Sequence, residues 1–100
     1  MSQIKPFELN TDKVSDKLKA MAHPIRLSIL NLLKDGKILS VSYIHENLGL
    51  EQSVTSHHLG ILRNKGLVCT KREGKNNFYF VKHPLIAQII DCMQTCACEE

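Results

Sequence analysis

Apolar residues recur every three to four positions in four successive segments of the first two-thirds of the chain. This spacing places them on one face of a helix, and typical helix caps and breakers lie between the segments. Asn10 and Thr11 precede the first segment as cap candidates, and His23-Pro24 separates it from the second. The pattern predicts helices over about 11–22, from Pro24 to Asp35-Gly36, from Ser40 to about Leu48, and from Gln52 or Ser53 to Gly66.

The periodicity changes after the fourth predicted helix. Two short runs rich in β-branched and aromatic residues predict strands over 67–72 and 77–81. Residues 73–76, with the sequence Glu-Gly-Lys-Asn, are typical of a hairpin turn between two such strands. His83-Pro84 then begins a last helix, 84–98, which carries an apolar stripe.

The predicted order is α-α-α-α-β-β-α, a mainly α fold with a small β-hairpin. Two short helices joined at a glycine turn and followed by a basic hairpin are typical of a winged helix-turn-helix. A helix that presents short polar side chains fits a major groove, and basic residues on the hairpin can contact the neighbouring phosphates. With 100 residues the chain has room for one core, so we expect a single domain over 1–100, with 1–10 as a flexible arm.

The distribution of charge supports a polyanionic partner. The net charge is only +3, but six basic residues and one acid lie between Arg63 and Lys82. The last sixteen residues contain three acids and neither lysine nor arginine. Basic charge concentrated in one hairpin-like stretch indicates a polyanion as the partner. Together with the winged helix-turn-helix pattern, it makes double-stranded DNA the expected polyanion. Aromatic residues make up 5% of the chain and tryptophan is absent, so we expect an aliphatic core.

Several other classes of protein are disfavoured. No segment approaches the roughly 18 apolar residues of a membrane span, and the first residues do not resemble a signal peptide. Three of the four cysteines lie in the last nine residues, which is no disulfide framework and favours a reducing cytoplasm. Glycine-rich phosphate loops, nucleophile elbows and paired catalytic carboxylates are missing, so we expect no enzymatic activity.

Three segments resemble, in order, the signatures of the ArsR/SmtB family of bacterial winged-helix repressors. Residues 22–30 are similar to the family's opening signature, and 52–68 to its recognition helix, with the family's Ser-x-His-Leu core present as Ser56-His57-His58-Leu59. Residues 71–75 match the family's wing in type, before an aromatic return strand. The resemblance covers about 12–98.

The resemblance implies a homodimer paired mainly through the first and last helices. It also implies repression at a roughly palindromic operator and release by an inducer. Both terminal helices have the apolar stripe that such pairing needs, and the residues expected in the interface are Val14, Leu18, Leu85, Ile86, Ile89, Ile90 and Met93. The alternative is a winged-helix module that binds another protein and has no inducer site.

The residues expected to contact DNA lie on the fourth helix and the hairpin. The exposed front of the helix is expected to carry Gln52, Ser53, Thr55, Ser56 and His57. Glutamine can make bidentate contacts with adenine, and serine and threonine can contact bases or phosphates. Ser53 could instead cap the helix, and His58 is either a base reader or a packed histidine. Arg63 lies near the far end of the helix, and the wing candidates are Lys71, Arg72 and Lys75.

The metal sites through which the family senses inducers are only partly represented in this sequence. Members of the family sense metals through cysteines on the third helix, but 41–48 contain none. Carrying over the family's second site by position gives His83, Leu85, Cys96 and Glu99, of which leucine cannot bind a metal. Each half-site of a dimer would then offer three zinc ligands.

The cysteines of the last helix permit two further interpretations. Cys92, Cys96 and Cys98 could bind a thiophilic metal or metalloid such as arsenite, or could sense oxidants. Alternatively they are small hydrophobic residues packed in the dimer interface. We expect no required cofactor, and zinc or a thiophilic metal or metalloid is the candidate inducer. Arg26 is expected to have a structural role, bonding helix ends, and Cys69 is expected in the core.

Overall fold

Five helices and three short strands follow one another in residues 8–99, the part of the chain that the computed structural model describes. They are α1 (Thr11–Met21), α2 (Pro24–Leu33), β1 (Leu39–Ser40), α3 (Val41–Leu48), α4 (Gln52–Asn64), β2 (Val68–Glu73), β3 (Asn76–Val81) and α5 (Ile86–Cys98). The predicted order of helices and hairpin is confirmed, with β1 as an addition. Most of the expected arm, residues 1–7, lies outside the described residues.

Local sequence signals start and end these helices. The side chains of Asn10, His23 and Ser40 each accept a hydrogen bond from a backbone N–H two or three residues later, at 3.1 Å in every case. They thereby satisfy donors that the first turn of a helix leaves without an intrahelical partner. Gly49 ends α3 in the left-handed region at a φ of 69°, which turns the chain toward α4. Helix α5 begins two residues later than predicted, because Pro84 and Leu85 form a turn before it.

The three strands form one antiparallel sheet in the order β1-β3-β2. The hairpin closes with Glu73 opposite Asn76, leaving Gly74 and Lys75 as the turn. A φ of 61° at Gly74 suits the first central position of a type II′ turn, where a side chain would be strained. We call this β2–β3 hairpin the wing. Strand β1 was not predicted, because two residues are too short to show alternation, and their pairing with β3 defines them as a strand.

The core is aliphatic, as predicted, and helix α2 lies at its centre. Ile29, Leu30 and Leu33 of α2 are fully buried, together with Ile44 of α3 and two leucines of α4. This packing seats α3 and α4 against α2 and leaves one face of α4 open. In the described part of the chain, none of the helices is both long and apolar enough to cross a bilayer.

Helix α5 is attached to the domain at its N-terminal end. Ile86, predicted to lie in the dimer interface, is only 4% exposed and belongs to the core of its own chain, which corrects that prediction. Ile90, one turn further on, is half-buried and packs against the same core. Asp91 of α5 accepts a hydrogen bond from Lys34 at 2.6 Å, and this contact raises the pKa of Lys34.

Candidate nucleic-acid interface

One side of α4 is covered with exposed polar side chains. Gln52, Ser53, Ser56, His57 and Arg63 are all exposed, and their spacing places them in one stripe along the helix. We call these five residues the polar stripe. Glu51, at the N-cap, makes no side-chain capping bond. The first backbone N–H groups of α4, which have no intrahelical partner in any helix, are therefore not satisfied by the cap residue. Ser53 lies inside the first turn and does not act as the cap.

Thr55 does not belong to this surface, which corrects its prediction as a DNA contact. It is 0% exposed, and its hydroxyl has no hydrogen-bond partner in the described structure. The buried face of α4 carries Thr55, His58, Leu59 and Leu62, at the i, i+3, i+4, i+7 spacing of a core-facing stripe. The polar character of threonine suggested exposure, whereas the helical period places it against the core.

His58 also lies on the buried face, and the structure favours the packed alternative over base reading. It is 9% exposed, and its ring centroid lies 4.6 Å from that of His23 and 5.2 Å from that of His57. Nδ1 of His58 is 3.2 Å from Nη1 of Arg26. Burial lowers the pKa of His58 below its ordinary value, and the neighbouring His23, Arg26 and His57 lower it further.

Arg26 connects three helices, in agreement with its expected structural role. Its Nε donates to the backbone carbonyl of Ala20 near the end of α1, and its Nη1 faces His58 of α4. A second connection between α1 and α4 was not predicted: the ammonium of Lys17 donates to the backbone carbonyl of Lys65. The partners are 48 residues apart in the sequence, so no local pattern could reveal this contact.

The basic side chains of the wing are exposed. Lys71 and Arg72 are at the far end of β2, and Lys75 lies in the turn itself. Nε of Arg72 donates to the carbonyl of Gly74 at 3.3 Å, and Lys71 lies 3.6 Å from Glu73 in an exposed ion pair. These contacts are weak in water, so the cations remain available for phosphates. Cys69, at the other end of β2, is half-buried rather than fully in the core.

The candidate metal ligands do not form a site within one chain. Among the described residues, no three histidine, cysteine, aspartate or glutamate side chains are grouped so that they could hold a metal ion. The residues concerned are His83, Cys92, Cys96, Cys98 and Glu99, all of them exposed. Gln94 donates to Sγ of Cys98 at 3.4 Å. A site shared between two subunits stays a prediction.

An apolar surface lies on the side formed by α1 and α5. Leu18 is 51% and Met93 58% exposed, and Val14, Leu85 and Ile89 are exposed as well. We call these five residues the apolar face. A groove of about 940 Å³ between α1, α2 and α5 is lined in part by Leu18, Ile89 and Met93 of this face. Five of the seven residues predicted for the dimer interface are therefore exposed; only Ile86 and Ile90 pack against their own core.

Known proteins with similar sequences and structures include bacterial transcriptional regulators. Residues 23–70, from α2 into β2, match the family model described as "Bacterial regulatory protein, arsR family". The chain is 32% identical over 94 residues to the biofilm growth-associated repressor of Xylella fastidiosa, covering 94% of this chain and 82% of that protein.

Two solved structures share the whole fold. HlyU from Vibrio cholerae superposes with a TM-score of 0.80 at 38% identity, covering 92% of this chain and 99% of that chain. A fragment of Mb0332 from Mycobacterium bovis, described as a homodimeric winged helix-turn-helix DNA-binding domain, superposes with a TM-score of 0.78 at 29% identity. That match covers 95% of this chain and 92% of the fragment.

Proposed function

Because this chain belongs to the ArsR family of bacterial regulatory proteins and is a DNA-binding transcriptional regulator of that type, we propose that it acts as a dimeric repressor of a roughly palindromic operator. The observation that carries this proposal is that the chain exposes both the polar stripe of α4 and the cations of the wing, which follows α4 directly in the chain. Short polar side chains can form hydrogen bonds with base edges in the major groove, and the cations of the wing can bind phosphates of the adjacent DNA backbone.

The apolar face supports the dimer. A domain of this size buries a limited fraction of its surface, and an apolar face on the two terminal helices suits a second copy. The Mb0332 fragment, which has the same fold, is homodimeric. In a dimer paired through α1 and α5 of both copies, the two α4 helices would have to lie about 34 Å apart to reach successive major grooves.

The character of α4 argues against the protein-binding alternative. A winged helix that binds a protein partner should expose an apolar patch on this helix, whereas the exposed residues of α4 are polar. The two grooves found in the described part of the chain are lined by neither Cys69 nor the histidines of α4, and we propose a regulator without enzymatic activity. We place it in the cytoplasm, where its DNA would lie and its thiols would stay reduced.

The experiment that tests the proposal is fluorescence anisotropy of reduced, metal-free protein on its own upstream DNA and on a scrambled duplex. We expect tight binding to the first duplex only, with an affinity that falls steeply with salt. Ser56→Glu places a carboxylate in the polar stripe and should weaken specific binding by about tenfold or more. Ser15→Glu adds the same charge on an exposed position of α1 and should leave the affinity near that of the wild type.

Equal and weak binding to both duplexes, with or without candidate inducers, would contradict a sequence-specific repressor of its own gene. Loss of DNA affinity in both serine variants would show that added negative charge weakens binding through the electrostatic potential of the whole protein. The polar stripe would then not be the reading surface.

We further propose that a thiol-reactive compound is the inducer. Cys92, Cys96 and Cys98 are exposed on α5, and the first two lie four residues apart on one face of the helix, beside the apolar face. Arsenite, zinc and peroxide should be added separately to the DNA complex. Release by arsenite or peroxide that disappears in Cys92→Ser/Cys96→Ser supports the proposal, whereas release that persists in this variant, or that zinc alone causes, contradicts it.

A further inference from the structure

Arg26 forms a polar bridge from the end of α1 to the buried face of α4. Its Nε donates to the carbonyl of Ala20, and its Nη1 lies 3.2 Å from Nδ1 of His58. We call this arrangement the Arg26 bridge. His58 directly follows His57 of the polar stripe, so the bridge ends beneath the part of α4 that faces DNA.

The bridge requires a neutral His58. A guanidinium has only N–H donors and stays protonated in proteins, so the hydrogen bond exists only if Nδ1 of His58 accepts. Protonation of His58 removes that acceptor and places two like charges about 3 Å apart in a site that is largely shielded from water. The bridge must then break.

Among residues 8–99, no neighbouring acid compensates for a proton on His58. The groups whose charges act on it are His23, before α2, Arg26 of α2 and His57 of its own helix, and all of them lower its pKa. The charged and titratable side chains on the other elements packed against α4 either bind other partners or are exposed to solvent. On α1, Asp16 forms an ion pair with Lys65. On α3, His45 contacts the carbonyl of Leu50, and Glu46 is exposed. On β2, Glu73 lies near Lys71 at the tip of the wing.

We propose that His58 and Arg26 are positioning residues for DNA recognition, and that uptake of a proton by His58 releases α4 from the orientation in which it reads DNA. This inference rests on the proposed role of α4 at the operator. The expected pH dependence of DNA binding is opposite to the one that added positive charge alone would cause. Added positive charge alone strengthens binding to a polyanion, whereas loss of the Arg26 bridge weakens specific binding at acidic pH.

The test is anisotropy with operator and scrambled duplexes at constant ionic strength, at about pH 7.5 and at a lower pH at which NMR shows that His58 has taken up its proton, below the ordinary histidine pKa of about 6.5. The variant is His58→Asn, because the amide oxygen of asparagine can occupy the place of Nδ1 and accept from Arg26 without titrating. His45→Asn is the matched control: it removes a half-buried histidine of α3 outside the bridge and keeps a donor for the carbonyl of Leu50.

We expect the specific affinity of the wild type and of His45→Asn to fall at least about fivefold at the lower pH, the size of a typical coupling between two sites. Binding of His58→Asn should hold or strengthen. A wild type that binds the operator at the higher pH and equally or more tightly at the lower pH overturns the inference, and so does an unchanged fall in His58→Asn. Absence of specific binding at the higher pH contradicts the proposed function itself.

A second measurement applies if His58→Asn does not fold. The ring of His58 in the wild-type protein can be titrated by NMR with and without operator DNA. Because coupling between two binding events is reciprocal, a proton that weakens DNA binding must itself bind less readily in the DNA complex. His58 should therefore titrate at a lower pH in the complex, and titration at the same or a higher pH overturns the inference.

Discussion

Lys65, at the C-terminal end of α4, and Asp16, on α1, form a two-pronged ion pair. Nζ of Lys65 lies 3.0 and 2.9 Å from the two carboxylate oxygens of Asp16. The carbonyl of Lys65 accepts from Lys17, the next residue of α1. Together with the Arg26 bridge, these contacts connect the middle and the C-terminal end of α4 to α1, a helix of the proposed dimer interface. A movement of α1 can therefore be transmitted to α4.

We expect the Asp16–Lys65 pair to contribute little to folding. The two side chains are 53% and 40% exposed, so water and salt screen their attraction. Asp16→Asn should lower the free energy of unfolding by less than about 1 kcal/mol. Urea denaturation at low and high salt measures this change, which should shrink at high salt. A salt-independent loss of more than about 2 kcal/mol would show that the pair behaves as a buried one.

The buried hydroxyl of Thr55 has no hydrogen-bond partner in the described structure, and we expect its removal to be tolerated. Valine has the shape of threonine without the polar group, so Thr55→Val removes a buried hydroxyl that has no partner in the described structure. We expect stability to hold or to rise by about 1 kcal/mol, with operator affinity unchanged. Thermal denaturation and anisotropy measure the two effects. A selective loss of operator affinity would restore Thr55 as a DNA contact.

The cations of the wing should act through the salt dependence of binding. If Lys71 and Arg72 each neutralise one phosphate, Lys71→Ala/Arg72→Ala should reduce the slope of log K against log salt by about 2, at roughly 0.9 per contact. The loss of affinity should be similar on operator and scrambled duplexes, because phosphates carry no sequence information. Lys13→Ala removes an exposed cation of α1, outside the wing; it is the control and should keep the wild-type slope. An unchanged slope in the double variant would remove the wing from the interface.

His58 should make folding stability depend on pH. Its pKa is lowered in the folded chain, whereas an unfolded histidine titrates near about 6.5. Below this value the unfolded chain binds more protons than the folded one, so the contribution of His58 is present above about pH 6.5 and is lost as pH falls through the folded pKa. Urea denaturation across this range should show the decrease in wild type and a smaller one in His58→Asn. Equal decreases would assign the effect to other groups.

The apolar face predicts how the dimer can be broken. A glutamate in place of Leu18 would carry an unpaired charge into the interface. We expect Leu18→Glu to raise the dimer dissociation constant at least about tenfold, as for other buried interface positions. Sedimentation velocity measures the association. Lys13→Glu, at an exposed position on the side of α1 away from Leu18, should stay dimeric. Monomers at all concentrations of wild type would contradict the interface.

The helices and the hairpin of this chain were determined by its sequence alone. A helix depends on contacts between residues three or four apart, and its ends depend on caps such as Asn10 and Ser40 and on glycines such as Gly49. The hairpin depends on a single two-residue turn at Gly74. All these interactions are local, so their signals lie side by side in the sequence, and the resemblance to a family followed from three such segments.

Only the tertiary structure decided which polar residues face the core. Ser56 and Thr55 are neighbours with similar chemistry, but packing of α4 against α2 exposes the first and buries the second. Strand β1 exists because Leu39 pairs with Tyr79, forty positions away. The pKa of His58 is lowered because the core buries its ring and because His23 and Arg26, thirty-five and thirty-two residues earlier, lie beside it. Such contacts join residues that are distant in the chain, and their formation depends on how the whole core closes.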